Sequence, residues 1–376
     1  MVLGLFWLLS AQFSLKLKNL ARNPMAGLLF LYYLILVLGL FYSANLAKAE
    51  KDVGLKIPLL VLPIMLGSMQ FFKEAGLQKL LRFFVYAAAV SVLVCLVNAL
   101  VNYAAFSHYQ VFYFRNFSFY RFIPPHYLGM YINLAYALVL FGFFGSVKLI
   151  AQKRKAIFVL AVLAIGLVFI SVRMQFLIFL LINLWGGFAF VKNKHGKRWS
   201  LLLMLGIAAF FLGLTLAFRG SRTRLIDTYN ELKSINKPVE NKQTNARFFL
   251  WPAATKVIGN NFWLGTGGGA ENEALTQMLK SEEALFWDGS RTFLLHEKKY
   301  NYHNSFLQHF AAHGFFGILS FIALFVFPFL KKKRTALQTM GLVFLVVSAL
   351  SFSTESMLQR QAGVLYFALF YCLFFV

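Results

Sequence analysis

LLRFFVYAAAVSVLVCLVNALVNYAAF, residues 80–106, is an apolar stretch that holds only one charged residue, Arg82. It shows no alternation of polar and apolar residues. It is also long enough to cross the hydrocarbon of a membrane as a helix, which takes about 20 residues. In lipid the backbone must satisfy its own hydrogen bonds, and without a period of two this stretch can do so only as a helix. It therefore predicts a membrane-spanning helix.

The composition extends this prediction to the whole chain. Of the 376 residues, 60% are hydrophobic and 18% aromatic, and the mean hydropathy is positive. These values exclude an ordinary soluble domain and predict an all-α fold, a polytopic bundle of transmembrane helices. Further apolar runs predict spans near residues 26–43, 55–72, 128–147, 156–172, 174–191, 200–218, 305–329, 337–353 and 362–376.

The apolar run at residues 2–13 is shorter than these spans. We count it as a helix fragment and not as a signal peptide, because it has neither a basic start nor a small-residue cleavage site. With it the bundle has about eleven helices. The loop 219–304 is predicted to lie outside, as the basic residues described next indicate, and counting crossings back from it places the first residue outside too. We therefore expect that one more helix is missing at the front.

Lysine and arginine predict the orientation of the bundle. They are concentrated in every second connection, near residues 16–22, 73–82, 148–155, 192–198 and 331–334. Short loops rich in these residues stay in the cytoplasm, so the long loop is predicted to lie outside. The chain then divides into N-terminal helices 1–218, a periplasmic loop with short helices 219–304, and three C-terminal helices 305–376, all in one membrane domain.

The net charge of +24 could indicate nucleic acid as a partner. Most of the basic residues, however, flank predicted spans, where topology and anionic headgroups account for them. We therefore expect membrane lipids and not nucleic acid as partners. Cys95 and Cys372 both lie in apolar spans, which indicates packing and excludes a disulfide framework.

Arg173 lies between the apolar runs 156–172 and 174–191, which places it at or just inside the outer membrane boundary. A charge at that depth is costly and marks a functional residue by default. The alternative is an arginine whose side chain reaches the interface and anchors a tight turn.

Arg247 and Trp251 lie four residues apart in a predicted helix that Thr244 or Asn245 caps and Gly259 ends. One face of this helix would present a cation beside an aromatic ring. An amphipathic helix lying on the membrane surface has the same pattern. The residues alone leave both interpretations open.

His303 lies where the long loop ends and an apolar helix through Gly314 and Gly317 begins. Asn304 or Ser305 can cap that helix, so we expect the imidazole to face backbone N–H groups. Such a field disfavours the charged ring and keeps it neutral, as a general base must be. A histidine that only hydrogen-bonds at an interface is the alternative.

Other patterns argue against a metal or a nucleotide. His309 and His313 could share a metal at i and i+4, but no third ligand accompanies them. Thr266-Gly267-Gly268-Gly269 lacks the lysine of a phosphate-binding loop and predicts a turn. The aspartates form no DxD motif that could hold a Mg²⁺-bridged diphosphate. If phosphate is bound here, arginine is the expected ligand, and none of these patterns supplies a metal or cofactor site.

Tyr302-His303-Asn304-Ser305-Phe306-Leu307, followed by Gly314 and Gly317, resembles the His-Asn signature of the O-antigen ligase and polymerase superfamily. The block from Arg247 to Gly269, Arg173 after its helix end, and residues 354–361 resemble other segments of that family. The likeness covers nearly the whole chain and is most specific in the His-Asn block. Two features depart from the family, which often has serine directly before the arginine and usually one more helix at its start.

The resemblance implies an inverting, metal-independent glycosyltransferase of lipopolysaccharide biosynthesis, in the inner membrane of a Gram-negative bacterium with its site on the periplasmic side. The donor would be a glycan on undecaprenyl diphosphate and the acceptor a hydroxyl of lipid A-core. His303 would be the catalytic base, and Arg173 and Arg247 would bind the diphosphate. Supporting candidates are Asn304, Trp251, Arg360, Arg121 and His126.

Alternative functions share parts of this pattern. An O-antigen polymerase, which joins two lipid-linked glycans, needs the same base and the same diphosphate ligands. A protein O-glycosyltransferase is less favoured, because such enzymes often carry an extra region after the last helix. A transporter or flippase for an anionic lipid would also place arginines along a path, but here they lie on the outer side and the sequence shows no repeat.

Overall fold

The computed structural model describes residues 2–68, 74–118, 123–144, 147–233, 245–283, 285–287 and 292–376. Nine helices come first: α1 Val2–Leu9, α2 Phe13–Ala21, α3 Pro24–Leu38, α4 Leu46–Leu55, α5 Pro58–Ser68, α6 Glu74–Phe106, α7 Phe114–Phe117, α8 Pro125–Phe144 and α9 Lys153–Ile170. Eight follow: α10 Arg173–His195, α11 Lys197–Ala217, α12 Arg219–Lys233, α13 Arg247–Asn260, α14 Glu271–Ser281, α15 Ser305–Leu330, α16 Ala336–Phe352 and α17 Gln361–Phe375. The described residues add one antiparallel hairpin, β1 Leu285–Trp287 with β2 Thr292–Leu294.

The helices agree with the predicted all-α class and its apolar spans. Within the described residues, four are long and apolar enough to cross a membrane, namely Pro24–Tyr42, Glu74–Phe106, Arg198–Ala217 and Ser305–Leu330. Every other predicted span also contains a helix. Large apolar side chains such as Phe83 and Val101 are exposed on α6, as expected of a helix that faces lipid. The count of eleven spans stays a prediction.

The helix after His303 is not continuous, contrary to the prediction. Gly314 inside α15 has φ 61° and ψ −157°, a conformation that is essentially restricted to glycine. Because the backbone turns there, the N–H of Phe315 donates to the carbonyl of Phe262 at 2.8 Å. The carbonyl of Ala311 then accepts from the N–H of Thr266 at 2.9 Å. Phe262 and Thr266 thus supply the hydrogen bonds that the helix lacks at its break.

The glycine run 265–269 forms the predicted turn, packed tightly against neighbouring backbone. A Cβ on Gly265 would lie 2.5 Å from the carbonyl carbon of Ala312, and one on Gly267 2.4 Å from the Cα of Ser43. The hydroxyl of Ser43 donates to the carbonyl of Gly268 at 2.8 Å. Glycine is required here because the chain segments touch backbone to backbone.

The chain forms two compact units. Unit 1 comprises Met1–Lys73, Glu231–Leu345 and Phe352–Val376, and unit 2 comprises Glu74–Asn230 and Val346–Ser351. The core of unit 1 is rich in buried phenylalanines. The ring centroids of Phe325 and Phe352 lie 5.9 Å apart, and those of Phe325 and Phe367 lie 5.3 Å apart. Aromatic pairs of this kind stabilise the packing of α15 against α16 and α17.

In unit 2 a buried hydrogen-bond network joins α8, α10 and the end of α16. The amide of Asn133 in α8 donates to both the backbone carbonyl and the side-chain oxygen of Gln175, each at 2.9 Å. The side-chain nitrogen of Gln175 donates to the hydroxyl of Ser351 at 3.0 Å. Hydrogen bonds between buried polar side chains specify one arrangement of helices. The network therefore fixes α10 two residues after Arg173.

The part of the long loop in unit 1 has a small core of its own. Helix α13 buries Leu250, Ala254 and Val257, and α14 buries Leu275 and Leu279 in the same cluster. This apolar face of α13 is covered by protein. The alternative of an amphipathic helix that lays this face on the membrane surface is therefore wrong.

Candidate functional site

His303 lies in a tight turn directly before α15. Its φ is 45°, in the left-handed region, which costs a residue other than glycine about 1–3 kcal/mol. The backbone N–H of His303 donates to Oδ1 of Asn301 at 3.0 Å. Oδ1 of Asn304 accepts from the N–H groups of Phe306 and Leu307 at 2.9 and 3.1 Å. Asn304 is therefore the cap of α15, and it fixes the position at which the imidazole leaves the backbone.

Glu355 contacts the His303 ring with both carboxylate oxygens. Nδ1 of His303 lies 3.0 Å from Oε1 and 3.1 Å from Oε2. An ionised carboxylate only accepts hydrogen bonds, so Nδ1–H is the donor and Nε2 of the neutral ring carries the free lone pair. We expected the imidazole to face backbone N–H groups at the start of α15. This expectation is corrected, because the N–H groups of Phe306 and Leu307 donate to the side-chain oxygen of Asn304.

The segment around Glu355 is tied to the start of α15. The hydroxyl of Ser305 donates to the backbone carbonyl of Glu355 at 2.9 Å and accepts from the N–H of Met357 at 3.0 Å. Ser305 is fully buried. Ser305 thus does not cap the helix as one alternative had it, and instead joins the turn after α16 to the turn of His303.

Arg247 reaches the same turn from α13. Its guanidinium NH2 donates to the carbonyl of Thr354 at 2.8 Å and lies 4.0 Å from Oε2 of Glu355. The backbone N–H of Arg247 donates to Oδ1 of Asn245 at 3.2 Å, so Asn245 supports the start of the helix. Glu355 consequently lies between a histidine and an arginine.

Trp251 holds the backbone beside His303. Its indole N–H donates to the carbonyl of Tyr302 at 3.1 Å, and the buried hydroxyl of Tyr302 donates to the carbonyl of Glu271 at 2.8 Å. Burial raises the pKa of Tyr302 well above its usual value, so this hydroxyl stays a donor. Trp251 thus contacts the backbone of the turn that holds His303.

Arg360 lies at the edge of this group of residues. It is exposed and occupies the N-cap of α17. The preceding Gln359 accepts a hydrogen bond from the side chain of Asn301 at 2.9 Å. The last outer turn, residues 354–361, therefore contacts the segment that holds His303, and Arg360 follows directly.

Arg173 belongs to unit 2 and is the first residue of α10. Ser171, with φ 50°, makes the tight turn that the sequence predicts between α9 and α10. The guanidinium of Arg173 lies 3.9 Å from the carboxylate of Asp227 in α12. Arg173 also lines a cavity of about 180 Å³, together with Ser171, Phe176, Thr215, Arg224, Leu225 and Thr228. The cavity combines two guanidinium groups with hydroxyls and apolar walls.

His126 and Arg121 are the remaining candidates. The ring of His126 lies edge-on to Phe114, with centroids 6.0 Å apart, in unit 2. Phe114 also lies under the guanidinium of Arg224, at 4.6 Å. His126 is thus placed near an arginine and an aromatic ring, while Arg121 lies outside the described residues.

The structure brings together His303, Arg247, Trp251 and Asn304 in unit 1, and places Arg173 and His126 in unit 2. Glu355 lies in the segment 354–361 that resembles the family, but the sequence pattern gave it no role. Its signal was available, because Glu355 is the carboxylate in a short connection between two apolar runs, where a charge is costly. Arg224 was also missed, since it lies among several basic residues of α12.

A second buried polar group lies in unit 1 beside the loop core. It comprises Asp52, Lys56, Glu271, Gln308, His309 and His313. Nδ1 of His309 lies 2.6 Å from the carbonyl of Ser305 and must donate to it. Lys56 is ion-paired with Asp52. Among the residues that the structure describes, no group of three or more His, Cys, Asp or Glu could hold a metal ion.

Residues 156–322 match the O-antigen ligase family. The matched stretch runs from α9 into α15 and contains Arg173, Arg247 and His303. No match was found among curated proteins.

Proposed function

The chain belongs to the O-antigen ligase family, a family of membrane ligases and polymerases of the glycosyltransferase type, and from this premise we propose which reaction it catalyses. It transfers a glycan from undecaprenyl diphosphate to a hydroxyl of lipid A-core, on the periplasmic side of the inner membrane. The observation that carries the proposal is the contact of His303 with Glu355 beside Arg247. These residues supply a base, a group that orients it, and a cation.

His303 acts as the general base. Its Nδ1–H donates to Glu355, so Nε2 can take the proton from the acceptor hydroxyl. No described residue hydrogen-bonds Nε2, and the side chain is 30% exposed, which leaves that nitrogen open to a substrate. Glu355 also stabilises the imidazolium that forms, as the carboxylate of a catalytic triad does.

The bond changes follow from this arrangement. The acceptor oxygen attacks the anomeric carbon, its proton passes to Nε2 of His303, and the bond between the anomeric carbon and the diphosphate oxygen breaks. The electron pair leaves with undecaprenyl diphosphate. Attack opposite to the leaving group inverts the anomeric carbon. Diphosphate is a good leaving group, so the step needs no carboxylic acid to protonate it.

Arg247 binds the diphosphate, whose negative charge grows as the bond breaks. A guanidinium suits this role because it offers a planar set of donors and keeps its charge. The same role is proposed for Arg173, which lies with Arg224 at the cavity in unit 2. No metal or other cofactor takes part in this proposal.

The test uses the purified protein in lipid vesicles with a lipid-linked glycan and lipid A-core. We expect core-linked product in the presence of EDTA, and His303→Ala should lower the rate by about 10²- to 10⁴-fold, the usual contribution of a general base. His108→Ala changes an exposed histidine and should retain the wild-type rate.

Product mass separates the alternatives. A longer lipid-linked glycan without core-linked product would identify a polymerase, and lipid movement without a new glycosidic bond would identify a transporter. Full activity of His303→Ala would remove the base from the proposal, and loss of activity in EDTA would overturn its metal independence.

A further inference from the structure

Glu271 lies at the first position of α14 and is 4% exposed. Its backbone carbonyl and its side-chain carboxyl contact residues on either side of His303 in the sequence. The backbone carbonyl accepts from the hydroxyl of Tyr302 at 2.8 Å, and Oε1 of the side chain accepts from the amide of Gln308 at 3.0 Å. Tyr302 directly precedes His303, and Gln308 lies in the first turns of α15.

The turn between these two contacts is strained. His303 has a positive φ although it is not glycine, and such a conformation persists only when its surroundings hold it firmly. The backbone N–H of Gln308 also donates to the carbonyl of Asn304 at 3.0 Å, in the first turn after the cap. A shift of Gln308 would therefore move the residue that caps the helix and, with it, His303.

The side chain of Glu271 lies in the buried polar group with Lys56 and His309, and it borders an apolar cluster. The neighbouring cluster contains Leu275 and Leu279 of the same helix, and Ala311 of α15. A buried carboxyl costs stability unless it is hydrogen-bonded. Oε1 of Glu271 also accepts from the side-chain amide of Asn272 at 3.2 Å, so the bond from Gln308 is the one that links this carboxyl to the start of α15.

We propose that Glu271 is a positioning residue for His303, which holds the strained turn through Gln308 and Tyr302 and so keeps the imidazole at its place on the acceptor hydroxyl. This rests on the proposed role of His303 as the base. Glu271 itself touches no substrate. Its effect is to keep the base within reach of the reacting atoms, where a displacement of about 1 Å can cost 10²-fold in rate.

The test compares Glu271→Leu, which removes the acceptor, with Glu271→Gln, which keeps an oxygen for the Gln308 amide. Two quantities are measured on full-length protein in lipid vesicles: kcat and KM for the lipid-linked donor, and hydrogen exchange of the peptide that contains Phe306 and Leu307. Glu273→Leu is the matched control, because Glu273 lies in the same helix and its side chain is 53% exposed.

We expect Glu271→Leu to lower kcat by about 10- to 10²-fold with little change in KM, and to speed exchange at Phe306 and Leu307. In Glu271→Gln, kcat and hydrogen exchange should both lie near the wild-type values. Glu273→Leu should match the wild type in both quantities. Wild-type kcat and exchange in Glu271→Leu would overturn the proposal. So would a glutamine variant as slow as the leucine variant, since the carboxylate charge and not the hydrogen bond would then matter.

A second variant and the hydrogen-exchange measurement cover the cases in which Glu271→Leu does not fold or the wild type is inactive. If Glu271→Leu does not fold, Tyr302→Phe removes only the hydroxyl that donates to Glu271, and it should shift kcat and exchange in the same direction. An unchanged Tyr302→Phe would then contradict the proposal. If the wild type forms no glycosidic product, the proposed function fails, while hydrogen exchange still decides whether Glu271 holds the turn.

Discussion

Nδ1 of His303 lies 3.0 Å from Oε1 of Glu355, although the two residues are 52 positions apart in the sequence. The contact joins the start of α15 to the turn after α16. It selects the tautomer in which Nε2 is the acceptor. A histidine at a helix start thereby becomes a base with a defined direction.

Glu355→Gln should reduce kcat on the order of 10²-fold, within the range that general base catalysis contributes. The amide group can donate to Nδ1 and so favour the wrong tautomer, and it cannot stabilise the imidazolium. The measurement is kcat as a function of pH. Glu297→Gln, which changes an exposed carboxylate in the long loop, is the control, and equal kcat values for the two variants would remove Glu355 from the mechanism.

Arg247→Lys keeps the charge but loses the planar set of donors. We expect a rise in KM for the lipid-linked donor of about 10-fold, which corresponds to about 1.4 kcal/mol, and a larger rise for Arg247→Ala. Steady-state kinetics over donor concentration measures this. Lys256→Ala, on the exposed side of the same helix, should behave as wild type. An unchanged KM in both Arg247 variants would show that the diphosphate is bound elsewhere.

Gly314→Ala should destabilise unit 1 by about 1–3 kcal/mol or more, because alanine is strained at this φ and ψ. The added Cβ would also lie 2.3 Å from the carbonyl oxygen of Trp263. Thermal unfolding in detergent measures the effect. Gly27→Ala in α3 meets nothing within 4 Å and should be neutral or stabilising by about 0.5–1 kcal/mol. Equal stability of the two variants would contradict the break in α15.

Glu271→Gln should change how stability depends on pH. Burial, followed by the charge of Asp52, raises the pKa of Glu271 above its ordinary value of 4.5. As pH rises through 4.5 the unfolded carboxyl ionises before the folded one, so the stability that this group contributes falls until pH passes the folded pKa and stays low above it. The glutamine variant lacks this loss, and its Tm relative to wild type should rise over that window. The substitution leaves the neighbouring residues Lys56, His309 and His313 in place.

Glu273→Gln is the control for this pH dependence, and it has the opposite sign. The hydrogen bond from Lys48 lowers the pKa of Glu273. The wild-type carboxylate therefore contributes stability above the unfolded pKa and loses it as pH falls through the folded pKa. The Tm of this variant relative to wild type should fall as pH rises. If Tm depends on pH in the same way in both variants and in the wild type, the raised pKa of Glu271 and the lowered pKa of Glu273 are contradicted.

The sequence predicted the helices well because hydrocarbon thickness sets the length of an apolar run. Residues 80–106 lie within α6 and residues 156–172 overlap α9. The break in α15 could not be read in this way. It depends on the carbonyl of Phe262, which lies in the long loop and offers the N–H of Phe315 a partner outside the helix.

The candidate site was predicted in part. His303 and Arg247 stand out in the sequence because each is polar or charged at the edge of an apolar segment. Glu355 also lies between two apolar runs, but its contact with His303 joins residues that are far apart along the chain. The same holds for the contacts of Glu271 with Tyr302 and Gln308. Local patterns report the helix that a residue begins or ends, and they carry no information on which turn it meets.

By itself the sequence determined that this protein is a helical membrane protein and that His303 and Arg247 lie in its long loop, since backbone satisfaction in lipid and the cost of charge act on each segment separately. Only the tertiary structure decided that Glu355 orients His303 and that Gly314 breaks α15. Hydrogen bonds act over about 3 Å, so folding has to bring distant segments together before either relationship exists.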